Sequence, residues 1–355
     1  MTANLLFGPA RKLVIETSRG RSFTVQKRIA IVMPVLDDWA SFEIVIEMIG
    51  RLFDGGAAQF HVVAVDDGSS VGFIADRASW CEFSCLHDIE VIHLAVNLGH
   101  QRAIAVGLSV VARRDHIDMV VVMDSDGEDR PEDIATLLAM ASRHPNHAVL
   151  ARRAQRSEGV KFRVGYVFYK ALFRLFTGRV IDFGNFCLLP IGTVRRLVHM
   201  PDLWNNLPAA IMRSRVRTVA VPTARGVRHA GRSHMNLPAL VIHGLSAMSV
   251  YSDLIFVRVL LASAVSGVIA VLGIGVVALV RMATTLAIPG WATTAFGDLI
   301  IILMQTVVIV IATTLMVLNT RSQRPIIPFV DAPAFVASRQ LVVARSEHVA
   351  GDGGQ

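Results

Sequence analysis

The stretch Val120-Val121-Val122-Met123-Asp124-Ser125-Asp126-Gly127-Glu128-Asp129 decides how this chain is read. Its first half is apolar and β-branched, the composition of a buried strand. Its second half is a cluster of carboxylates. In an open α/β sheet, ligands bind where strands end and feed into loops. Asp124 and Asp126 stand two apart, so one turn of backbone aims both at one point. Converging carboxylates repel unless a cation lies between them. Hard divalent ions such as Mg²⁺ and Mn²⁺ take such oxygen ligands and often share them with phosphates. A D-x-D alone has a bland alternative, a solvated acidic turn before a helix starting at Pro131-Glu132-Asp133. Its place after a strand, and the residues around it, favour ligand binding.

The segments upstream repeat the arrangement. Arg28 to Val35 reads as a first buried strand, followed by Asp37-Asp38 and an amphipathic helix through Ile44, Ile46, Met48, Ile49 and Leu52. Phe60 to Val65 is a second strand, running into Asp66-Asp67-Gly68-Ser69-Ser70. Ile89 to Leu94 is a third, leading to Asn97-Leu98-Gly99-His100, and a helix from Ala103 to Ala112 precedes the strand that ends on Asp124. Alternating strands and helices predict an α/β fold, a mostly parallel sheet with helices on both faces. Polar or acidic residues follow every strand, so one edge of the sheet collects them.

These motifs match a known pattern. Pro34 with Asp37-Asp38, Val65-Asp66-Asp67-Gly68-Ser69, Asn97-x-Gly99-His100 and Asp124-x-Asp126-x-Glu128-Asp129-x-Pro131-Glu132 occur in one order. Over roughly residues 28 to 255 the chain resembles the family 2 glycosyltransferases of the GT-A (Rossmann-like) fold. More narrowly it is similar to dolichyl-phosphate mannose synthases and bacterial polyprenyl-phosphate glycosyltransferases. The resemblance implies a nucleotide-sugar donor, UDP- or GDP-linked, bound by Pro34, Asp38, Asp66, Asp67, Asn97, Asp124, Arg153 and Arg156. It implies a Mg²⁺ or Mn²⁺ ion on Asp124, Asp126 and Glu128, where Glu128 replaces a family glutamine. Arg228-His229-Ala230-Gly231-Arg232-Ser233-His234 resembles the family's R-x-x-G-x-S-K, with His234 in place of lysine, and implies an acceptor-phosphate site at Arg228, Ser233 and His234.

Asp182-Phe183-Gly184-Asn185-Phe186-Cys187-Leu188 resembles the family's D-x-G-D-F-R-L. Asn185 replaces the second acidic residue and Cys187 the arginine, so the catalytic candidates are Asp126, Asp182 and Asn185. The substitution bears on the acceptor. An attacking hydroxyl needs a general base. A phosphomonoester is already ionised near neutrality, with a second pKa of about 6 by analogy with phosphoserine. Loss of a carboxylate at 185 is therefore tolerable for a polyprenyl phosphate acceptor and troublesome for a sugar hydroxyl. Asp182 stays available as a base.

Composition adds a membrane. The chain has 355 residues, 53% of them hydrophobic, and a mean hydropathy of +0.52. The excess lies late in the chain. Val259 to Val280 and Leu299 to Leu318 contain no charge and no proline. Each is long enough to cross a hydrocarbon core of about 30 Å. With Pro289-Gly290-Trp291 between them they predict a two-helix transmembrane hairpin. Arg225, Arg228, Arg232 and Arg258 precede it and Arg321 and Arg324 follow, so the positive-inside rule puts both termini in the cytoplasm of an inner or plasma membrane protein. The expected organisation is an N-terminal extension (1–27), a catalytic domain (28–236), an interfacial amphipathic segment (237–257), the hairpin (258–320) and a cytoplasmic tail (321–355) that runs from ordered to frayed. Residues 1 to 28 lack the continuous apolar core of a signal peptide.

A formal charge of +7 suits anionic lipid and a diphosphate substrate. The basic residues are scattered and carry no nucleic-acid recognition motif. Cys81, Cys85 and Cys187 have no zinc spacing and fit reduced thiols. The histidines form no H-x-x-x-H pattern. The Q-x-x-R-W motif of processive synthases is absent, and the sequence leaves oligomeric state open. Besides an enzyme, the substitutions at 185, 187 and 234 allow a membrane-anchored nucleotide-sugar binding protein without turnover, and a transferase to another lipid or glycan acceptor.

Overall fold

The computed structural model describes residues 15–16, 22–23, 27–56, 58–73, 80–153, 171, 173–179, 183–229, 245–283 and 290–345. Two compact units are present, one of Met1–Gly159, Ile181–Val250 and Ile326–Gln355, the other of Val160–Val180 and Tyr251–Pro325.

The first unit is built on β1 (Lys27–Val35), α1 (Trp39–Phe53), β2 (Ala58–Asp66), β3 (Leu86–Leu94), α2 (His100–Val111), β4 (Met119–Val122) and α3 (Pro131–Arg143). Then come β5 (Ala148–Arg153), β6 (Cys187–Pro190), α4 (Ile191–Leu197), α5 (Leu207–Arg213) and β7 (Thr218–Thr223). After the second unit the chain returns as β8 (Val336–Ala344). The eight strands form one sheet in the order β8-β3-β2-β1-β4-β6-β5-β7. The pairs β3/β2, β2/β1, β1/β4 and β5/β7 are parallel, and β8/β3, β4/β6 and β6/β5 are antiparallel. The expected doubly covered, mostly parallel sheet is what the chain forms.

Alternation along β1 explains the two layers, since successive strand side chains point to opposite faces. Ile29, Ile31 and Met33 pack with Phe42, Val45, Ile46 and Ile49 of α1 on one face. Ala30 and Val32 pack with Ile104 and Leu108 of α2 on the other. Ile29 through Met33 have no exposed surface. Each fully buried aliphatic side chain contributes about 1.5–3 kcal/mol. The start of α3 follows its sequence, with Pro131 in the first turn and Glu132 and Asp133 beside the positive helix end.

The tail adds the last strand of the sheet. Val342 and Val343 of β8 are buried in the core, which pins 336–344 to the sheet edge.

In the second unit, α6 (Ser252–Ala283) and α7 (Trp291–Ser322) run 32 residues each and pack on one another. Both are long and apolar enough to cross a membrane, and most of their surface lies outside the protein interior. They are longer than the apolar runs 259–280 and 299–318, because polar residues at their ends continue the helix. The last six residues of the 237–257 segment are the first turns of α6. Ser263, Ala270 and Val277 on α6 and Thr306 and Thr313 on α7 are buried, a seven-residue spacing of small side chains that lets helices approach closely. The threonine hydroxyls donate to Ile302 O and Ile309 O of their own helix, so neither hydroxyl is stranded there.

Candidate active site

Strand order reverses at β1. The chain moves outward through β2 and β3, then crosses to the other side of β1 to lay down β4. Loops leaving β1 and β4 therefore turn apart and open a crevice at their carboxyl ends. Ser125 spans it, its hydroxyl donating to Pro34 O at 3.0 Å.

The Asp66-Asp67 pair shapes the neighbouring loops. Register sets Asp66 beside His93, and its Oδ2 lies 2.8 Å from His93 Nδ1 while Oδ1 accepts from Ser69 N at 2.9 Å. Asp67 accepts from Leu98 N at 2.7 Å and Gly99 N at 2.9 Å. Burial pushes its pKa up, against the pull of those two amides. Asn97, exposed, stands in the loop that Asp67 anchors. Asp37, at φ 51°, laces the first loop to the second by accepting from Ser70 N and Ser70 Oγ, each at 2.7 Å. No local pattern marked Asp37 for this role.

The carboxylate loop after β4 closes on itself. Asp124 N donates to Asp129 Oδ2 at 3.0 Å and Glu128 N to Asp126 Oδ1 at 2.9 Å. Gly127 turns it at φ 89°. Residues 224–229 lie across this loop. Gly226 N donates to Glu128 O at 2.8 Å and His229 N to Asp126 O at 3.1 Å. Arg225 Nη2 reaches both Glu128 oxygens, at 2.7 and 2.8 Å. Arg228 bridges Asp38 Oδ2 at 3.0 Å and Asp126 Oδ2 at 2.9 Å. Arg228 is thus brought to the donor and metal candidates.

The fit of strap to loop depends on two glycines. A Cβ at Gly226 would fall 2.2 Å from Gly127 O, and one at Gly127 would fall 2.2 Å from the His229 ring. Gly226→Ala meets backbone, which cannot give way as a side chain does. Gly226→Ala is expected to lift 224–229 and lower any activity this loop carries about tenfold, a cost of about 1.4 kcal/mol in the barrier. Activity at the wild-type rate would show that the strap plays no part.

Asn185 is not isolated. Gln101 Nε2 donates to Asn185 Oδ1 at 2.9 Å, Asn185 Nδ2 lies 2.9 Å from His100 Nε2, and that nitrogen is 3.3 Å from Asp124 Oδ1. Gln101 also accepts from Leu207 N at 2.8 Å. Crowding opposes charge on His100, but the carboxylates of Asp124, Asp129 and Asp126 outweigh it and its pKa is raised. His100 and Gln101 were overlooked as site residues, although their place at the start of α2, after the Asn97-x-Gly99 turn, was a usable signal. Asp182, Arg156, Ser233 and His234 lie outside the described residues, as does the side chain of Arg153 at the end of β5.

The oxygen donors of Asp124, Asp126 and Glu128 suit Mg²⁺ or Mn²⁺. Burial, and after it the charges of Asp124 and Glu128, raise the pKa of Asp126, and Arg228 opposes the rise. A carboxylate set under such strain gains from added positive charge.

Residues 30–193 match the family model described as Glycosyl transferase family 2. It is similar to the undecaprenyl-phosphate 4-deoxy-4-formamido-L-arabinose transferase of Sodalis glossinidius, 25% identical over 218 residues that cover 60% of this chain and 64% of the relative. The protein of that name from Yersinia enterocolitica is 24% identical over 219 residues, 61% and 64% of the two chains. The chain spans a little under two thirds of the length of these relatives. Solved structures similar to it include mannosyl-3-phosphoglycerate synthase from Rubrobacter xylanophilus, at a TM-score of 0.45 and 17% identity over 64% of this chain and 73% of that one. Glucosyl-3-phosphoglycerate synthase from Mycobacterium tuberculosis, in complex with Mn²⁺, UDP-glucose and phosphoglyceric acid, gives 0.44 and 16% over 65% and 83%.

Proposed function

We propose that this chain is a membrane-bound inverting glycosyltransferase that moves a sugar from a UDP- or GDP-linked donor to a polyprenyl phosphate. The observation that carries the reading is the carboxylate loop at the sheet's switch point with two arginines held on it. Asp124, Asp126 and Glu128 would hold Mg²⁺ or Mn²⁺, which neutralises a leaving nucleoside diphosphate. Asp38, Asp66, Asp67, Asn97 and the backbone at Pro34 shape the donor side, with Arg153 and Arg156 toward its phosphates. The acceptor phosphate must reach the sugar carbon next to that diphosphate. An arginine beside Asp126 is well placed to orient it, so Arg228, with Ser233 and His234, is assigned the acceptor. Asn185 is neutral and cannot take a proton, and the ionised acceptor needs none taken. The names of the relatives support the lipid acceptor.

The test is an assay of the detergent-purified chain with a panel of UDP- and GDP-sugars and polyprenyl phosphate, read by mass spectrometry of the lipid. A glycosylated polyprenyl phosphate is expected with one donor. No lipid product with any donor sinks the reading. One observation favours a second reading, a donor-binding protein without turnover: Arg225 and Arg228 already balance charge on the loop. Donor binding with no product would select it.

We also infer that α6 and α7 cross the membrane with both flanks in the cytoplasm. Support comes from β8, which shares a sheet with the strands that precede the hairpin. Tags at the N-terminus and after Arg324 are expected to resist a protease added outside intact cells, and a tag near Pro289 to be cut. Cleavage at one terminus and protection at the other would overturn the arrangement.

A further inference from the structure

Three histidines that no sequence spacing links meet at the opposite end of the sheet. His61 stands near the start of β2, five residues and about 16 Å along the strand from Asp66. Register sets it opposite Asp88 of β3. Its Nδ1 lies 2.7 Å from Asp88 Oδ2, so that nitrogen carries the proton that the carboxylate accepts. The other ring nitrogen, Nε2, is buried and has no hydrogen-bond partner, and His61 is 1% exposed. His87 Nδ1 is likewise buried without a hydrogen-bond partner, 3.7 Å from Asp88 Oδ2. The rings of His87 and His116 lie 4.7 and 4.8 Å from that of His61. One donor atom from each of His61, His87 and Asp88 falls within 4.8 Å of the others. Arg114 holds the far side of Asp88, at 3.3 Å from Oδ1, and leaves Oδ2 to the histidines.

Buried polar nitrogens are almost always satisfied, so two bare ones in one cluster call for a ligand. A carboxylate holding one nitrogen of an imidazole whose other nitrogen is bare is the arrangement that orients a metal-binding histidine. We propose that His61, His87 and His116, with Asp88 orienting His61, form a site for a borderline transition-metal ion of the zinc class. Zinc bonds to imidazole at about 2.0–2.1 Å, so the three rings would turn inward on it and a water would complete four ligands. Nitrogen donors distinguish this site from the all-oxygen loop, which suits Mg²⁺ or Mn²⁺. The ion would clip β2 to β3 and to the connection before β4, beside the end of β8, where Arg345 N donates to His87 O at 3.1 Å.

The probes are Zn²⁺ and Co²⁺ on the untagged full chain in detergent. After loading and desalting, about one zinc per chain is expected by elemental analysis. Co²⁺ should give the intense visible bands of a four-coordinate nitrogen-rich site. Zinc should raise the unfolding temperature, since binding to the folded state stabilises it. His87→Gln and His116→Gln, at partly buried positions, should lose the zinc, the cobalt bands and the thermal shift while still unfolding cooperatively in EDTA. Asp126→Ala should keep all three. Zinc retained equally by both histidine variants, or lost in Asp126→Ala, would overturn the site. Absence of stoichiometric zinc in the wild-type chain would overturn it even if a variant failed to fold.

Discussion

Asp126→Ala is expected to abolish sugar transfer, by about 10³-fold or more, equivalent to about 4 kcal/mol of barrier. Asp126 is a point of convergence. One of its oxygens organises the loop through Glu128 N, and the other meets Arg228. Removing it would delete a proposed metal ligand and leave the partly buried Arg228 short of a counter-charge, which costs more than the lost contact alone. Affinity for the donor in the presence of Mg²⁺ or Mn²⁺ should fall with the rate, and affinity without metal should change little. Asp126→Asn keeps the shape and should be nearly as damaging, because charge is what the site requires. Titration calorimetry with UDP and GDP, with and without metal, checks this. Substantial transfer by Asp126→Ala, or full wild-type transfer in excess EDTA, removes the loop from the metal site.

The second large effect is expected at Arg228. Its guanidinium bridges Asp38 and Asp126 across the crevice, a forked geometry that lysine's single ammonium cannot reproduce. Charge-assisted hydrogen bonds are worth about 1.5–3 kcal/mol each. Arg228→Ala should lower kcat/KM for polyprenyl phosphate by about 10²-fold, with most of the loss in the acceptor's apparent KM. Donor affinity should stay within a few-fold of wild type, and Arg228→Lys should recover only part of the rate. Loss of donor affinity with acceptor dependence intact would move Arg228 to the nucleotide and leave the acceptor unassigned.

The sheet was legible because its strands are apolar β-branched runs, and those periods survive in any context. The carboxylate loop was legible because it follows such a run directly. What was hidden arises from pairs far apart in the chain. Arg228 stands 102 residues from Asp126, and nothing near position 228 announces that partner. His61 and Asp88 meet only through strand register. β8 does not stand out as a strand because Ser338, Arg339 and Gln340 interrupt its apolar residues. That is how an edge strand with one wet side reads, and only Val342 and Val343 carry its anchorage. The helices exceed their apolar runs because hydropathy marks what oil can cover, and backbone hydrogen bonding continues past that limit.

β8 also sets an order of events in time. It is translated after both apolar helices, so while a ribosome is still making the hairpin the sheet ends on a bare β3. That edge exposes unpaired amides and carbonyls, an invitation to pair with a neighbouring nascent chain. Completion of the sheet therefore waits until 336–344 have been made, after both helices. Removing 326–355 would trap every molecule at that unfinished stage, and the chain should then accumulate as aggregate even though every residue of its crevice is intact.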